Sequence, residues 1–116
     1  GTEATLKILH DAERLGATAE GNGPINALDA ALRTALGSRV PELGEISLVN
    51  FKVRILDETK GTGAVTRVLI DSSDGHETWG AIGVSENVIE ASWEALLDSV
   101  EHGTRRVARA RAAAAG

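Results

Sequence analysis

The sequence predicts an α+β fold made of two βββα units, each an antiparallel sheet covered by one helix. Three observations lead there. Short runs of strand-forming residues alternate in polarity between turn signals. Two segments carry apolar residues at helical spacing. The chain also matches itself under one fixed shift: GATAEGNGPINALDAALRTAL, residues 16–36, falls on GAIGVSENVIEASWEALLDSV, residues 80–100, without a gap. Gly16 meets Gly80, Ala17 meets Ala81, Ile25 meets Ile89, Ala27 meets Ala91, Ala31 meets Ala95 and Leu32 meets Leu96. The second copy reads strand, strand, strand, helix, whereas the first reads strand, strand, helix. The expectation is that the first strand of unit one lies upstream of Gly1, in a longer protein.

The elements follow in order. ATLKILH, residues 4–10, alternates and pairs with ERLGATA, residues 13–19, across a short turn containing Asp11. Pro24 suits a first helical turn, where its missing N–H costs nothing. Ile25, Leu28, Leu32 and Leu36 recur at helical spacing with alanines between them, and Gly37 supplies a stop, so the first helix spans residues 24–36. SRVPELGE, residues 38–45, is a linker. ISLVNFKVRIL, residues 46–56, alternates: Ile46, Leu48, Asn50, Lys52 and Arg54 on one side, Val49, Phe51, Val53 and Ile55 on the other. DETKGTG, residues 57–63, reads as a turn, AVTRVLID as a strand, SSDG as a turn and HETWGAIGV as a third strand. Ser85 is the expected N-cap of a second helix over residues 87–102, with Ile89, Trp93, Leu96, Leu97 and Val100 on one stripe. The domain is thus expected over residues 1–102, as units 1–37 and 45–102. A basic Ala/Arg-rich tail over 103–116 is expected as a solvated helix extension or a frayed terminus.

Composition narrows the function. At 116 residues, 42% hydrophobic and 25% charged, the chain is an ordinary single globular domain. One Phe, two Trp and no Tyr leave few rings to stack bases. All 17 acidic residues and eight of the 12 basic ones lie at or before Glu101, leaving that body at −9, while Arg105, Arg106, Arg109 and Arg111 give the tail +4. An acidic body repels phosphate backbones, so no nucleic-acid partner is expected. No apolar run reaches spanning length and no signal-peptide pattern is present, so no membrane partner is expected. The absence of cysteine fits a reducing compartment, and the expected location is cytoplasmic.

No catalytic constellation emerges. His10, His76 and His102 are scattered outside any metal-ligand spacing, and Ser72, Ser73 and Ser85 sit in no nucleophile motif. Asp71 and Asp74 flank a turn and read as turn formers, and GTG at 61–63 is too short to cradle a phosphate. The two copies differ at the strand-to-helix loop, EGNGP in the first and VSENV in the second. Glycines there leave backbone N–H groups open at a helix N-terminus, which favours a carboxylate or phosphate. A tight connection is the plainer reading.

ATAEGNGPINALDAALR, RILDETKGTGAVTRVLID and WGAIGVSENVIEASWEALLDS, in this order, resemble the C-terminal regulatory domain of the α-isopropylmalate synthase and citramalate synthase group. GVSENVIEASW looks closer to the citramalate synthases. The resemblance implies two βββα units that form a homodimer and bind an end-product amino acid near the dimer interface, for feedback inhibition. Isoleucine is the effector it implies for citramalate synthases, and leucine for isopropylmalate synthases. It implies that catalysis belongs to a separate TIM-barrel domain, which condenses acetyl-CoA with a 2-oxo acid using a divalent metal; this domain would hold no cofactor. The effector contacts it implies are Gly21, Asn22, Gly23 and Asn26 in and after the GNGP loop, Phe51 and Ile55 on the facing strand, and Thr62 and Ala64 before the next. Asn26 and Thr62 stand where the family often has smaller residues. A structural dimerisation domain without an effector is the alternative.

Overall fold

The computed structural model describes residues 1–56 and 64–116. The chain forms two compact units, Gly1–Pro41 and Glu42–Gly116. Unit one holds β1 (Thr2–His10), β2 (Glu13–Gly21), α1 (Pro24–Leu36) and a short 3-10 turn, Gly37–Arg39. A second 3-10 turn, Pro41–Glu45, leads into β3 (Ser47–Leu56), β4 (Val65–Ser73), β5 (Thr78–Ser85) and α2 (Val88–Ala115). Both sheets are antiparallel, ordered β1-β2 in one unit and β3-β4-β5 in the other. The turn expected over residues 57–63 lies outside the described residues.

The repeat holds at the level of strand register. The same shift that carries Gly16 onto Gly80 carries the β1–β2 pairs, from Thr2↔Gly21 to Leu9↔Arg14, onto the β4–β5 pairs, from Thr66↔Ser85 to Ser73↔Thr78. The helices start in the same phase, at Pro24 and Val88. Ala27, Leu28, Ala31, Leu32, Ala35 and Leu36 are buried in α1, and their counterparts Ala91, Ser92, Ala95, Leu96, Ser99 and Val100 are buried in α2. In both copies the helix therefore lays the same face on the same two strands. β3 is the additional strand of unit two, and it pairs on the edge of β4 that corresponds to the outer edge of β1.

Local chemistry explains the connections. Asp11 and Ala12 both have positive φ, 48° and 64°, as a two-residue hairpin turn requires when its twist matches that of the strands. Beside that turn, Arg39 clamps Glu13 through two hydrogen bonds of 2.8 and 3.0 Å. Arg39 thereby holds the Glu13 carboxyl below its ordinary range, first by hydrogen bonding and then by charge. The corresponding turn of unit two is closed by Asp74, whose Oδ1 accepts from the N–H groups of His76 and Glu77 at 2.9 Å. Those two bonds, that from Glu77 first, depress the Asp74 pKa, and the Arg106 charge adds to them.

Unit two departs from the sequence reading in four places. First, β3 carries a bulge between Leu48 and Asn50, so simple alternation fails there. Leu48 pairs with Ser72 and Phe51 with Ile70, which places Leu48 on the face of Phe51, Val53 and Ile55 rather than opposite them. Second, the face that α2 buries is made of small residues. Gly83 lies so close beneath the helix that a Cβ there would collide with the carbonyl oxygen of Ala91. At that approach alanines and serines fit against the sheet, Leu96 and Val100 stay buried, and Ile89 is left 45% exposed. Trp93 and Leu97 are only half-buried on the flank. Third, Asn87 caps α2 in place of Ser85: the Asn87 side chain accepts from Ile89 N and Glu90 N. Ser85 Oγ instead accepts from Asn87 N and donates to the Glu90 carboxylate. Fourth, the extension past His102 is helical to Ala115 but not simply solvated, because Gly103 and Val107 are buried.

Candidate functional site

The strand-to-helix loop of unit one is built by its glycines. A Cβ on Gly21 would lie 2.5 Å from Ala27 N and 2.7 Å from Asn26 C, so the end of β2 passes directly against the first turn of α1. Gly23, the N-cap, has φ 99° and ψ 169°, a backbone region essentially reserved for glycine. Pro24 follows it at the start of the helix. Within the loop, Gly23 N donates to Gly21 O at 3.0 Å, Asn26 Nδ2 to Asn22 O at 3.1 Å, and Ala27 N to Gly23 O at 3.1 Å. Gly21, Asn22, Gly23 and Asn26 are thus brought together, and the carbonyls of the first three are engaged internally.

The repeat exposes what this loop lacks. In α2 the Asn87 carboxamide oxygen accepts from Ile89 N at 2.8 Å and from Glu90 N at 3.4 Å. The matching positions of the first copy hold Gly23, Ile25 and Asn26. Gly23 has no side chain, α1 has no side-chain cap, and its first turn contains no acidic residue. The N-terminal amides of a helix carry partial positive charge and favour an anionic oxygen. In one copy of the repeat the protein supplies that oxygen itself; in the other it does not.

The remaining expected contacts lie in unit two. Phe51, Val53 and Ile55 pair across to Ile70, Val68 and Thr66 and share their face. α2 packs over β4 and β5, so Val68 and Ile70 are fully buried. On β3 the same apolar face stays open, with Phe51 37%, Val53 49% and Ile55 72% exposed. Core packing of this unit therefore does not account for Phe51 and Ile55. Val53 belongs with them, and the alternation of the strand already carried that signal. Ala64 is exposed just ahead of β4, and Thr62 lies outside the described residues. The four loop residues belong to one unit and Phe51, Ile55 and Ala64 to the other. An open hollow of about 500 Å³ lies along Lys7–Leu9 and Arg14–Gly16, and none of the expected contacts lines it.

Comparison with known proteins follows the same lines. Residues 1–104 match the family described as the LeuA allosteric (dimerisation) domain. The chain is 55% identical over 104 residues to an (R)-citramalate synthase of Streptomyces coelicolor, covering 90% of this chain and 20% of the relative. It is 52% identical over 99 residues to an (R)-citramalate synthase of Aquifex aeolicus, covering 85% of this chain and 19% of that one. A 2-isopropylmalate synthase of Shewanella woodyi is more distant, at 32% over 94 residues, covering 81% of this chain and 16% of the relative. The chain thus spans about a fifth of the length of these two citramalate synthases. With a register-true strand–strand–helix repeat, an uncapped glycine loop before α1 and a family match across both units, this chain belongs to the LeuA allosteric (dimerisation) domain family.

Proposed function

We propose that this chain senses a branched-chain amino acid, isoleucine above leucine, and uses it for feedback inhibition of a citramalate synthase-like enzyme. The observation that carries the reading is the N-terminus of α1, which lacks the side-chain oxygen that its twin in α2 has. The effector's carboxylate takes that position on the amides after Gly23, beside Asn22 and Asn26. Phe51 and Ile55 are proposed as the apolar socket, and Thr62 and Ala64 as the further contacts that the family resemblance implies. Two copies of the chain form the regulatory dimer, which the exposed apolar face of β3 supports. The catalytic partner is a separate barrel of the parent protein, cytoplasmic and acting on acetyl-CoA and a 2-oxo acid with a divalent metal. Inhibition requires that the effector bind the inhibited arrangement more tightly than the active one.

One finding favours a second reading, a dimerisation module without an effector. The packing of Gly21 against Ala27 N already accounts for that glycine. Asn26→Asp separates the two readings. An acidic residue in the first helical turn is favourable to the helix, by about 0.3–1 kcal/mol, yet it sets a carboxylate where the effector's own would sit. Calorimetric titration with isoleucine, leucine and valine is expected to give heat with the native chain and at least a tenfold weaker response with Asn26→Asp, while the variant stays folded because the gain at the helix N-terminus offsets the lost Asn26 Nδ2–Asn22 O bond. Native binding of all three amino acids by the variant, or no heat with the native chain, would overturn the sensor reading. Scattering mass reports the dimer independently.

A further inference from the structure

The family match ends at residue 104, yet α2 runs on to Ala115. The extension is not idle. Val107 is buried. One turn later Arg111 donates to Glu45 and lies 3.7 Å from Glu42. Arg106 forms an ion pair with Glu77 at 2.9 Å, stands 3.6 Å from Asp74 and covers the Trp79 ring at 5.7 Å. Gly103 makes this seating possible, because a Cβ there would lie 2.5 Å from Trp79 Cζ2 and 2.7 Å from Ile46 Cδ1.

The segment that receives Arg111 has a matching design. In a 3-10 turn, side chains three apart share a face. Within and just after Pro41–Glu45, Leu43 and Ile46 are buried, while Glu42 and Glu45, also three apart, both reach Arg111. The Ile46 N–H donates to Leu43 O at 3.1 Å, so that one amide reports whether the turn is formed. Arg105 and Arg109, on the same extension, are exposed.

We propose that the last turns of α2 are an ionic latch on the Pro41–Glu45 turn, seated by Val107 and closed by Arg111 on Glu42 and Glu45. Exposed ion pairs are individually weak and are screened by salt, so this latch opens without unfolding the unit. It fixes where the chain entering β3 becomes held. The inference is independent of effector binding and stands if the sensor reading fails.

Hydrogen exchange of the Ile46 amide in the full chain tests it. At low ionic strength Arg111→Gln is expected to speed exchange about two- to fivefold, whereas Arg109→Gln, which removes the same charge, leaves it unchanged. Near 1 M salt, where the screening length is about 3 Å, native and Arg111→Gln rates are expected to converge. Arg111→Glu combined with Glu45→Lys is expected to restore protection relative to Arg111→Glu alone, with helix content by circular dichroism constant throughout. Equal exchange in the Arg111→Gln and Arg109→Gln chains, a difference that survives high salt, or no rescue by the swapped pair would overturn the latch.

Discussion

Ser99 and Ser72 hydrogen-bond through their hydroxyls at 2.7 Å beneath α2, and both are buried. They join the helix to β4 where Trp79 Nε1 also donates to Ser99 O at 2.9 Å. Removing one hydroxyl strands the other away from water. Ser99→Ala or Ser72→Ala alone is expected to cost about 1–3 kcal/mol, and the double replacement clearly less than the sum. Urea denaturation of the four chains measures this; strict additivity would show that the two hydroxyls do not act as a pair.

Gly83 carries a second prediction. Because a Cβ there meets the Ala91 carbonyl, Gly83→Ala must lift α2 from the sheet and is expected to destabilise by about 1–3 kcal/mol. Gly44 is the control: nothing lies within 4 Å of a Cβ built on it and its φ is not positive. Gly44→Ala is expected to be neutral or stabilising by up to about 1 kcal/mol. Equal melting temperatures for the two variants would contradict the close approach.

The hairpin turn of unit one is strained by its own sequence. Ala12 sits at φ 64°, which disfavours any residue with a Cβ. Ala12→Gly restores the Asp-Gly pair that such turns favour and is expected to stabilise by about 0.5–1 kcal/mol, read from the denaturation midpoint. A lower midpoint would mean that the turn differs from the one described.

Acid stability depends on the two depressed carboxylates. Asp74 and Glu13 have folded pKa values below their ordinary ones, because of the Glu77 and His76 amides in one case and Arg39 in the other. A carboxyl depressed by folding contributes fully above its unfolded pKa, about 4, and loses that contribution as pH falls through the folded value. Asp74→Asn and Glu13→Gln are therefore expected to be less stable than the native chain at neutral pH, with the difference shrinking steadily below about pH 4. Urea midpoints between pH 2 and 7 give the comparison; a difference that grows on acidification has the wrong sign for this account.

Much of the fold was legible from residues alone. Hydrophobic period separated the strands from the helices, and Pro24 and Gly37 bracketed α1 where the structure has it. The self-match of residues 16–36 with 80–100 anticipated a repeat that persists in strand register. The GNGP loop stood out by comparison with its own copy, whose Asn87 now shows what the loop lacks. The Leu48–Asn50 bulge, the cap at Asn87 and the packing of the α2 extension were not legible, because each depends on a partner remote in sequence or on a choice between nearby polar residues.

By itself, then, the sequence determined that two helices each bury one stripe on an antiparallel hairpin, and that the stripe recurs at a constant offset along the chain. Periodicity is a local property and needs nothing else. Only tertiary structure decided which apolar side chains reach water. Ile25 is 3% exposed and its repeat partner Ile89 45%, and Phe51 and Ile55 stay open while Val68 and Ile70 close. The distance at which Gly83 lets α2 meet the sheet, and which strands that helix covers, are relations between segments. No run of neighbouring residues encodes them.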